Sequence, residues 1–371
     1  MPSQVNLLNK LPLKTLALAA TALFASGGAW ASTSCTFTPA SPNATFTITN
    51  PLDIAAGDPA LRQQVSYGST SCTKTNIYVN GGFCIKMGLG SAGTPVGTAY
   101  APRWLQKGTD YLGFQIHKNN TYNDVWGPND NAPAQQQRET LTMVGSTVFT
   151  AWNITEITGK GAAGFSLFME LLPTFPLVSG ANSISTLVPG VYTSTFNSGN
   201  NTFWRAAYGT SVNAACSNGN DNSGIQSIAF TVTADIKHQC KIKGAIADID
   251  FGTQSGTATN LQGSTALTVQ CTRTTPYYIG LLPGNGNTAG AGLMYGQAPL
   301  TAADTVAYQL RSTAGMSGTI WGNTATSISV GNGVAGTGTG SDQNHTIYAT
   351  LASANAAAGN YQDTVTVTVN Y

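Results

Sequence analysis

The stretch Thr364-Val365-Thr366-Val367-Thr368-Val369-Asn370-Tyr371 alternates without a break. Successive side chains of a β-strand point to opposite faces, so Val365, Val367, Val369 and Tyr371 share one face and the threonines the other. Working outward, residues 225–236 give a second long strand signal, with Ile228, Phe230 and Val232 in phase. Residues 165–172 are nearly all apolar; this suits a strand buried on both faces, with a short buried helix as the alternative. Gly/Asn/Ser segments at 197–201, 218–224 and 331–341 separate these runs as loops. Many short strands joined by Gly-rich turns point to an all-β chain of sandwich type.

The landmarks repeat in order. Cys240 and Cys271 lie 31 residues apart, and Cys35 and Cys72 lie 37 apart. Ala307-Tyr308-Gln309-Leu310 precedes Ile320-Trp321-Gly322, as Gly113-Phe114-Gln115-Ile116 precedes Val125-Trp126-Gly127. Ala358-Gly359-Asn360-Tyr361 answers Pro189-Gly190-Val191-Tyr192. From Trp to Tyr the first half runs 66 residues against 40 in the second, so it carries about 26 extra residues. Insertions in a repeated scaffold fall in loops, where binding function concentrates. After Tyr192 the first half continues through the 225–232 strand, whereas after Tyr361 there is one strand, ending at Tyr371. If both halves share one sandwich, the second lacks its final strand, leaving an apolar groove and unpaired backbone groups. Another chain must then supply that strand.

Composition narrows the class. The chain has 371 residues, with 16 Lys+Arg and 15 Asp+Glu, and charged residues make up only 8% of it. That is far below the usual quarter or so, and such a surface exerts no pull on nucleic acid. The N-terminus reads as a signal peptide: Lys10 and Lys14, an apolar run 16–24, then Ala29-Trp30-Ala31. The run is too short to span a bilayer comfortably. The expected division is 1–31 signal peptide, 32–234 N-terminal domain and 235–371 C-terminal domain. Six cysteines in an exported chain favour three disulfides.

The second half resembles a spore coat protein U domain, the pilin domain of archaic (Csu-type) chaperone–usher pili. The resemblance rests on Cys240, Asp250-Phe251-Gly252, Val269-Gln270-Cys271-Thr272, Thr275-Pro276-Tyr277, Tyr308, Trp321-Gly322 and Gly359-Asn360-Tyr361-Gln362-Asp363. The first half is similar more distantly, through Cys35, Cys72, Phe83-Cys84-Ile85, Pro102-Arg103, Trp126-Gly127 and Pro189-Gly190-Val191-Tyr192, and it lacks the Asp-Phe-Gly element. The resemblance implies immunoglobulin-like folds, the C-terminal one completed by donor-strand complementation. It also implies a periodic set of partners: a periplasmic chaperone, an outer-membrane usher and an adjacent pilin. Stalk pilins of this class begin with a donor segment; here only Ser32-Thr33-Ser34 precede Cys35. The expectation is therefore a tip subunit at the cell surface, mediating attachment to abiotic or host surfaces and biofilm formation.

Several site assignments follow. Cys240–Cys271 is the expected disulfide of the second half, Cys35–Cys72 its counterpart and Cys84–Cys216 the remainder; the two other pairings among the four N-terminal cysteines stay open. Val365, Val367, Val369 and Tyr371, with Ile242 on the opposite edge, are the expected acceptor groove. Surface-binding candidates are Trp152, Ile154, Phe175, Leu177, Val178, Phe203, Trp204 and Tyr208, all in or beside regions the second half lacks. Few charges lie nearby, so apolar attachment is expected; a lectin-like glycan pocket is the alternative. Phe251 is expected to be a core aromatic before a turn glycine, since no Gly-rich loop or His-Arg-Asp loop accompanies Asp250-Phe251-Gly252. His117, His238 and His345 lack ligand or triad spacing, and no carboxylate pair stands out. No enzyme activity, metal or cofactor is expected.

Overall fold

The computed structural model describes residues 34–39, 43–73, 80–93, 95, 102–117, 120–122, 163–178, 180–200, 202–209 and 226–371. The signal segment, Trp126, Trp152, Ile154 and Cys216 lie outside the described residues. The chain is all-β, built of immunoglobulin-like sandwiches. The N-terminal half contains β1 (Ser34–Pro39), β2 (Ala44–Ile48), β3 (Arg62–Thr73), β4 (Asn80–Lys86), β5 (Arg103–Lys107), β6 (Asp110–His117), β7 (Ala163–Leu171), β8 (Thr174–Val178), β9 (Ala181–Ser183), β10 (Gly190–Phe196), β11 (Phe203–Gly209), β12 (Gln226–Ser227) and β13 (Phe230–Ile236). The C-terminal half contains β14 (Cys240–Lys243), β15 (Thr259–Cys271), β16 (Pro276–Leu282), β17 (Ala291–Gly296), β18 (Thr305–Arg311), β19 (Val334–Thr337), β20 (Asp342–Ser353), β21 (Tyr361–Gln362) and β22 (Thr366–Asn370).

The two large sheets share one order. In the N-terminal half it runs β1-β3-β7-β6-β5-β10-β13-β2, and in the C-terminal half β14-β15-β20-β18-β17-β21. The repeat seen in the sequence maps onto this order strand by strand. Cys35 faces Cys72 across β1 and β3, as Cys240 faces Cys271 across β14 and β15. Phe114 and Ile116 on β6 are buried, as are Tyr308 and Leu310 on β18. Thr193 of β10 pairs with Gln106 of β5, and Gln362 of β21 with Tyr295 of β17. Tyr192 donates its hydroxyl to Val188 O, and Tyr361 to Ala357 O, each at 2.8 Å. This is the hydrogen bond four residues upstream that fixes the corner of an immunoglobulin-like sandwich. Each half also has a three-stranded sheet, β12-β11-β4 and β19-β16-β22.

Apolar residues separate into two cores, one ending at Ile236 and the other with Cys240 packed against it. Strand β13 shows why: Phe230, Val232, Ala234 and Ile236 are buried while Thr231, Thr233 and Asp235 are half-buried, the period of two that one covered face imposes. The expected single strand over 225–236 is broken after Ser227, where Ile228 N–H donates to Thr202 O at 3.3 Å. The 165–172 run is a strand, with Leu167, Met169 and Leu171 fully buried. Its other face is only half-buried, because Glu170 there meets Arg62 at 2.7 Å and His117 at 3.3 Å.

The halves touch through polar contacts beside the connection 237–239. Gln239 Nε2 donates to Asp53 Oδ2 and Leu52 N–H to Gln239 Oε1, both at 2.7 Å. Lys241 pairs with Asp53, and Arg273 with Asp110. The Lys241 and Gln239 hydrogen bonds hold the Asp53 carboxyl below its ordinary pKa.

Candidate strand-acceptor groove

Beyond β10 the N-terminal sheet adds β13, antiparallel to β10 and parallel to β2. Beyond β21 the C-terminal sheet stops, and β22 is an edge strand paired only with β16 among the described residues. Facing this edge is the segment 244–251, which follows β14 and has no ladder. Between the two walls lies a cavity of about 480 Å³. Ile246, Ile249 and Phe251 line one wall and Tyr361, Val365 and Val367 the other. All six are partly buried against the second core, so the groove is an uncovered side of that core. Fully covering a Val, Ile or Phe side chain contributes about 1.5–3 kcal/mol relative to exposure.

Polar groups also line the groove, among them Asp248, Thr265, Tyr308 and Asp363. Tyr308 donates its hydroxyl to Asp363 Oδ2 at 2.6 Å, and Gly284 N–H donates to the same oxygen at 3.2 Å. Burial pushes the Tyr308 phenol far above its ordinary pKa, with Asp363 adding to the effect, so the hydroxyl stays a donor. A Cβ on Gly284 would meet Asp363 Oδ1 at 2.2 Å, just as one on Gly90 would meet Ser194 Oγ at 2.4 Å. The same close approach thus recurs in both halves, with Ser194 standing where Asp363 stands.

The expected groove residues are placed unevenly. Val365 and Val367 line the cavity. Val369 packs against the core one step further along β22. Tyr371 is 48% exposed and Ile242 36% exposed, and neither lines the cavity. Phe251 is half-buried on the groove wall rather than inside a closed core; Gly252 follows at φ +66°, its N–H held by Asp250 Oδ1 at 2.7 Å. Sequence reasoning missed Ile246, Ile249 and the groove role of Phe251. A signal existed: Phe251 stands 11 residues after Cys240, as Phe46 stands 11 after Cys35.

The surface-binding candidates divide. Leu177 is 68% exposed, but Phe175 and Val178 are buried. Phe175 meets Trp104 edge-on at 5.9 Å between ring centroids, because the β8–β9 hairpin folds back on the sheet. Its turn residue Gly180 sits beside Arg273 of the C-terminal half, so Leu177 lies near the junction. Phe203, Trp204 and Tyr208 fall on β11, paired with β4 along its whole length. Cys84 lies on β4 opposite Arg205. Cys240–Cys271 is a disulfide.

The histidines are scattered. His117 is buried beside Glu170 and edge-on to Tyr122, and His345 Nε2 lies 2.9 Å from Tyr277 Oη. Burial lowers the pKa of both; for His117 the Glu170 charge works against that effect. His238 Nδ1 lies 3.0 Å from Thr275 Oγ1.

This groove and its sheet order define an immunoglobulin-like subunit with one uncovered edge. Residues 226–368 match the Spore Coat Protein U domain family. No curated protein is significantly similar to the chain. It is similar to a chain of the CsuC-CsuE chaperone-tip adhesion subunit pre-assembly complex from archaic chaperone-usher Csu pili of Acinetobacter baumannii. That likeness has a TM-score of 0.46 and 14% identity, over 91% of this chain and 100% of that one. A second similar structure is a chaperone-tip adhesin complex of CFA/I fimbriae biogenesis, at TM-score 0.28 and 12% identity, over 90% of this chain and 96% of that one.

Proposed function

We propose that the chain is the tip adhesin subunit of a chaperone–usher pilus, with residues 32–234 as adhesin domain and 235–371 as pilin domain. One observation carries this reading. The edge 361–370 and the facing segment 244–251 enclose an apolar groove at the place where β13 closes the N-terminal half. An uncovered apolar groove flanked by backbone without a ladder is a site for strand addition. A periplasmic chaperone occupies it first and the adjacent pilin, delivered at the outer-membrane usher, occupies it in the fibre. The N-terminal half has β13 at the corresponding edge, and among its described residues that edge has no such groove; in this reading it faces outward.

Attachment belongs to the pole remote from the junction. Strand β6 leaves the junction at Asp110, which Arg273 holds, and runs to His117. At about 3.4 Å per residue that is roughly 24 Å away. The connection 118–162, which contains Trp152 and Ile154, departs from there. Attachment through its apolar side chains would show little charge dependence.

The test has two arms. Co-expression with the cognate chaperone should give soluble protein, whereas expression alone should give aggregated or degraded protein. Stable monomer without any partner would sink the acceptor reading. In piliated cells, Trp152→Ser with Ile154→Ser should lower surface attachment while fibre number stays constant; unchanged attachment would remove the adhesive role of that connection.

A further inference from the structure

We infer that β13 is an internal template for the strand that fills the C-terminal groove, and that this strand carries a small residue between Tyr361 and Phe251. The inference rests on the acceptor reading above and adds the side-chain pattern and register of the occupant. In the N-terminal half β13 threads between β10 and β2. Val232 faces Ser194 and Ala44, Ala234 faces Tyr192 and Phe46, and Ile236 faces Gly190 and Ile48. Phe230 faces Phe196, with the two rings stacked at 4.5 Å.

Each neighbour has a counterpart fixed by a landmark. Tyr192 corresponds to Tyr361 through the shared hydroxyl bond four residues upstream. Two and four residues on, Ser194 corresponds to Asp363 and Phe196 to Val365. The Gly90–Ser194 and Gly284–Asp363 contacts support that register independently. Counting from the first cysteine of each half, Phe46 corresponds to Phe251 and Ala44 to Ile249. Tyr361 and Phe251 both line the groove.

The consequence is steric. Ala234 is fully buried between two aromatic side chains, Tyr192 and Phe46, which are themselves buried. A strand passing between Tyr361 and Phe251 meets the same pair and has room there for Ala, Gly or Ser only. Two residues before it, between Asp363 and Ile249, the template places a β-branched residue. Two before that, over Val365, it places a large apolar one, and Val365 is smaller than the Phe196 that Phe230 covers. The strand runs antiparallel to 361–370 and parallel to 246–251, as β13 does to β10 and β2.

The probe is a synthetic peptide with the sequence of Phe230–Ile236, added while the full secreted chain refolds. At a hundredfold excess over its dissociation constant it should raise the unfolding midpoint of the C-terminal half by on the order of 10 °C. The same peptide with Ala234→Leu should bind about tenfold more weakly, since overpacking a closed site is costly. A leucine peptide that binds as tightly as its parent, or a scrambled peptide that raises the midpoint equally, overturns the template. Generic alternating Val/Thr peptides separate the two readings. If they raise the midpoint and the β13 peptide does not, the template fails and the acceptor groove stands; if no peptide raises it, both fail. Appending the same seven residues after Tyr371 through a flexible linker repeats the comparison within one chain. The appended strand should give a soluble monomer, and its Ala234→Leu version should not.

Discussion

In the N-terminal half β10 has β13 along its outer edge, and β13 has β2 beyond it; in the C-terminal half the corresponding edge has no described strand beside it. The effect reaches the next segment. Ala44, Phe46 and Ile48 lie on β2, which is buried alternately and, among the described residues, paired only with β13. The segment holding Ile249 and Phe251 stands at the same distance after its cysteine but has no ladder. Extended backbone becomes a strand when its N–H and C=O groups find partners, and local sequence alone does not supply them. Among the described residues, the outer side of the 361–370 edge and the segment 244–251 are therefore both without a ladder partner.

The comparison breaks most visibly by truncating inward side chains on either side of it. Phe230→Ala removes a buried ring stacked on Phe196 and should cost about 3–5 kcal/mol in the N-terminal half. Val367→Ala on the open edge should cost about 1 kcal/mol or less with the groove empty, and about twice that once a strand covers it. Denaturant melts of the chain with and without a groove-filling peptide would measure both. Equal costs for Val367→Ala in the two states would mean that the groove is not completed by a strand.

A comparable loss is expected from the disulfide. Cys240–Cys271 closes a span of 31 residues, so Cys240→Ser with Cys271→Ser should lower stability by about 3 kcal/mol. Cys35 and Cys72 face each other in the same register with a span of 37, so the paired serine change there should lower it by a similar amount. Mass mapping of the unreduced chain would show whether Cys35 is joined to Cys72. If it is not, the correspondence of the two halves does not extend to their covalent closure.

The sequence and the folded chain agree where a signal is periodic or repeated. Alternation over 364–371 marks the open edge, and Tyr192 and Tyr361 mark the same corner twice. The far wall was not legible that way. Ile246, Ile249 and Phe251 do not follow a period of two, because that segment has no neighbouring strand to impose one. Phe175 and Val178, surface-binding candidates in the sequence, are buried because the β8–β9 hairpin folds onto the sheet, a contact that no local pattern announces. The junction was invisible for a different reason: Asp110 and Arg273 are 163 residues apart, and no local pattern joins them.

A smaller effect is expected from pH, and it should appear in both halves. His117 and His345 are each held below the ordinary histidine pKa of 6.5 by burial. The unfolded chain then takes up protons first as pH falls. Stability should be fully present above pH 6.5, decline as pH drops below it, and level off below the folded-state values. His117 is faced by Glu170, Arg62, Arg103 and Tyr122, and only Glu170 favours its charged form. Glu170→Gln should therefore steepen the decline in the N-terminal half and leave that of the C-terminal half alone. A midpoint independent of pH between 6.5 and 5 in either half would show that its histidine is solvated.

The smallest change in stability, and a separate change in shape, should come from the junction. Arg273–Asp110 is partly buried, with side chains 23% and 14% exposed, while Asp53 in the Lys241 pair is 53% exposed. An exposed pair such as Lys241–Asp53 contributes about 0–1 kcal/mol, so Asp53→Ala should hardly move a melting curve, and Asp110→Ala, which leaves Arg273 partly buried, should move it somewhat more. Orientation is another matter. The two pairs lie at different points of the N-terminal half, after β2 and at the start of β6, and two separated points of attachment resist rotation where one does not. Losing both should broaden the distribution of angles between the halves, seen as a larger radius of gyration in solution scattering with both cores intact. If the double substitution leaves the scattering curve unchanged, the short connection 237–239 and the Gln239–Leu52 hydrogen bond hold the halves without the ion pairs. The two ion pairs would then be incidental to how the halves are held together.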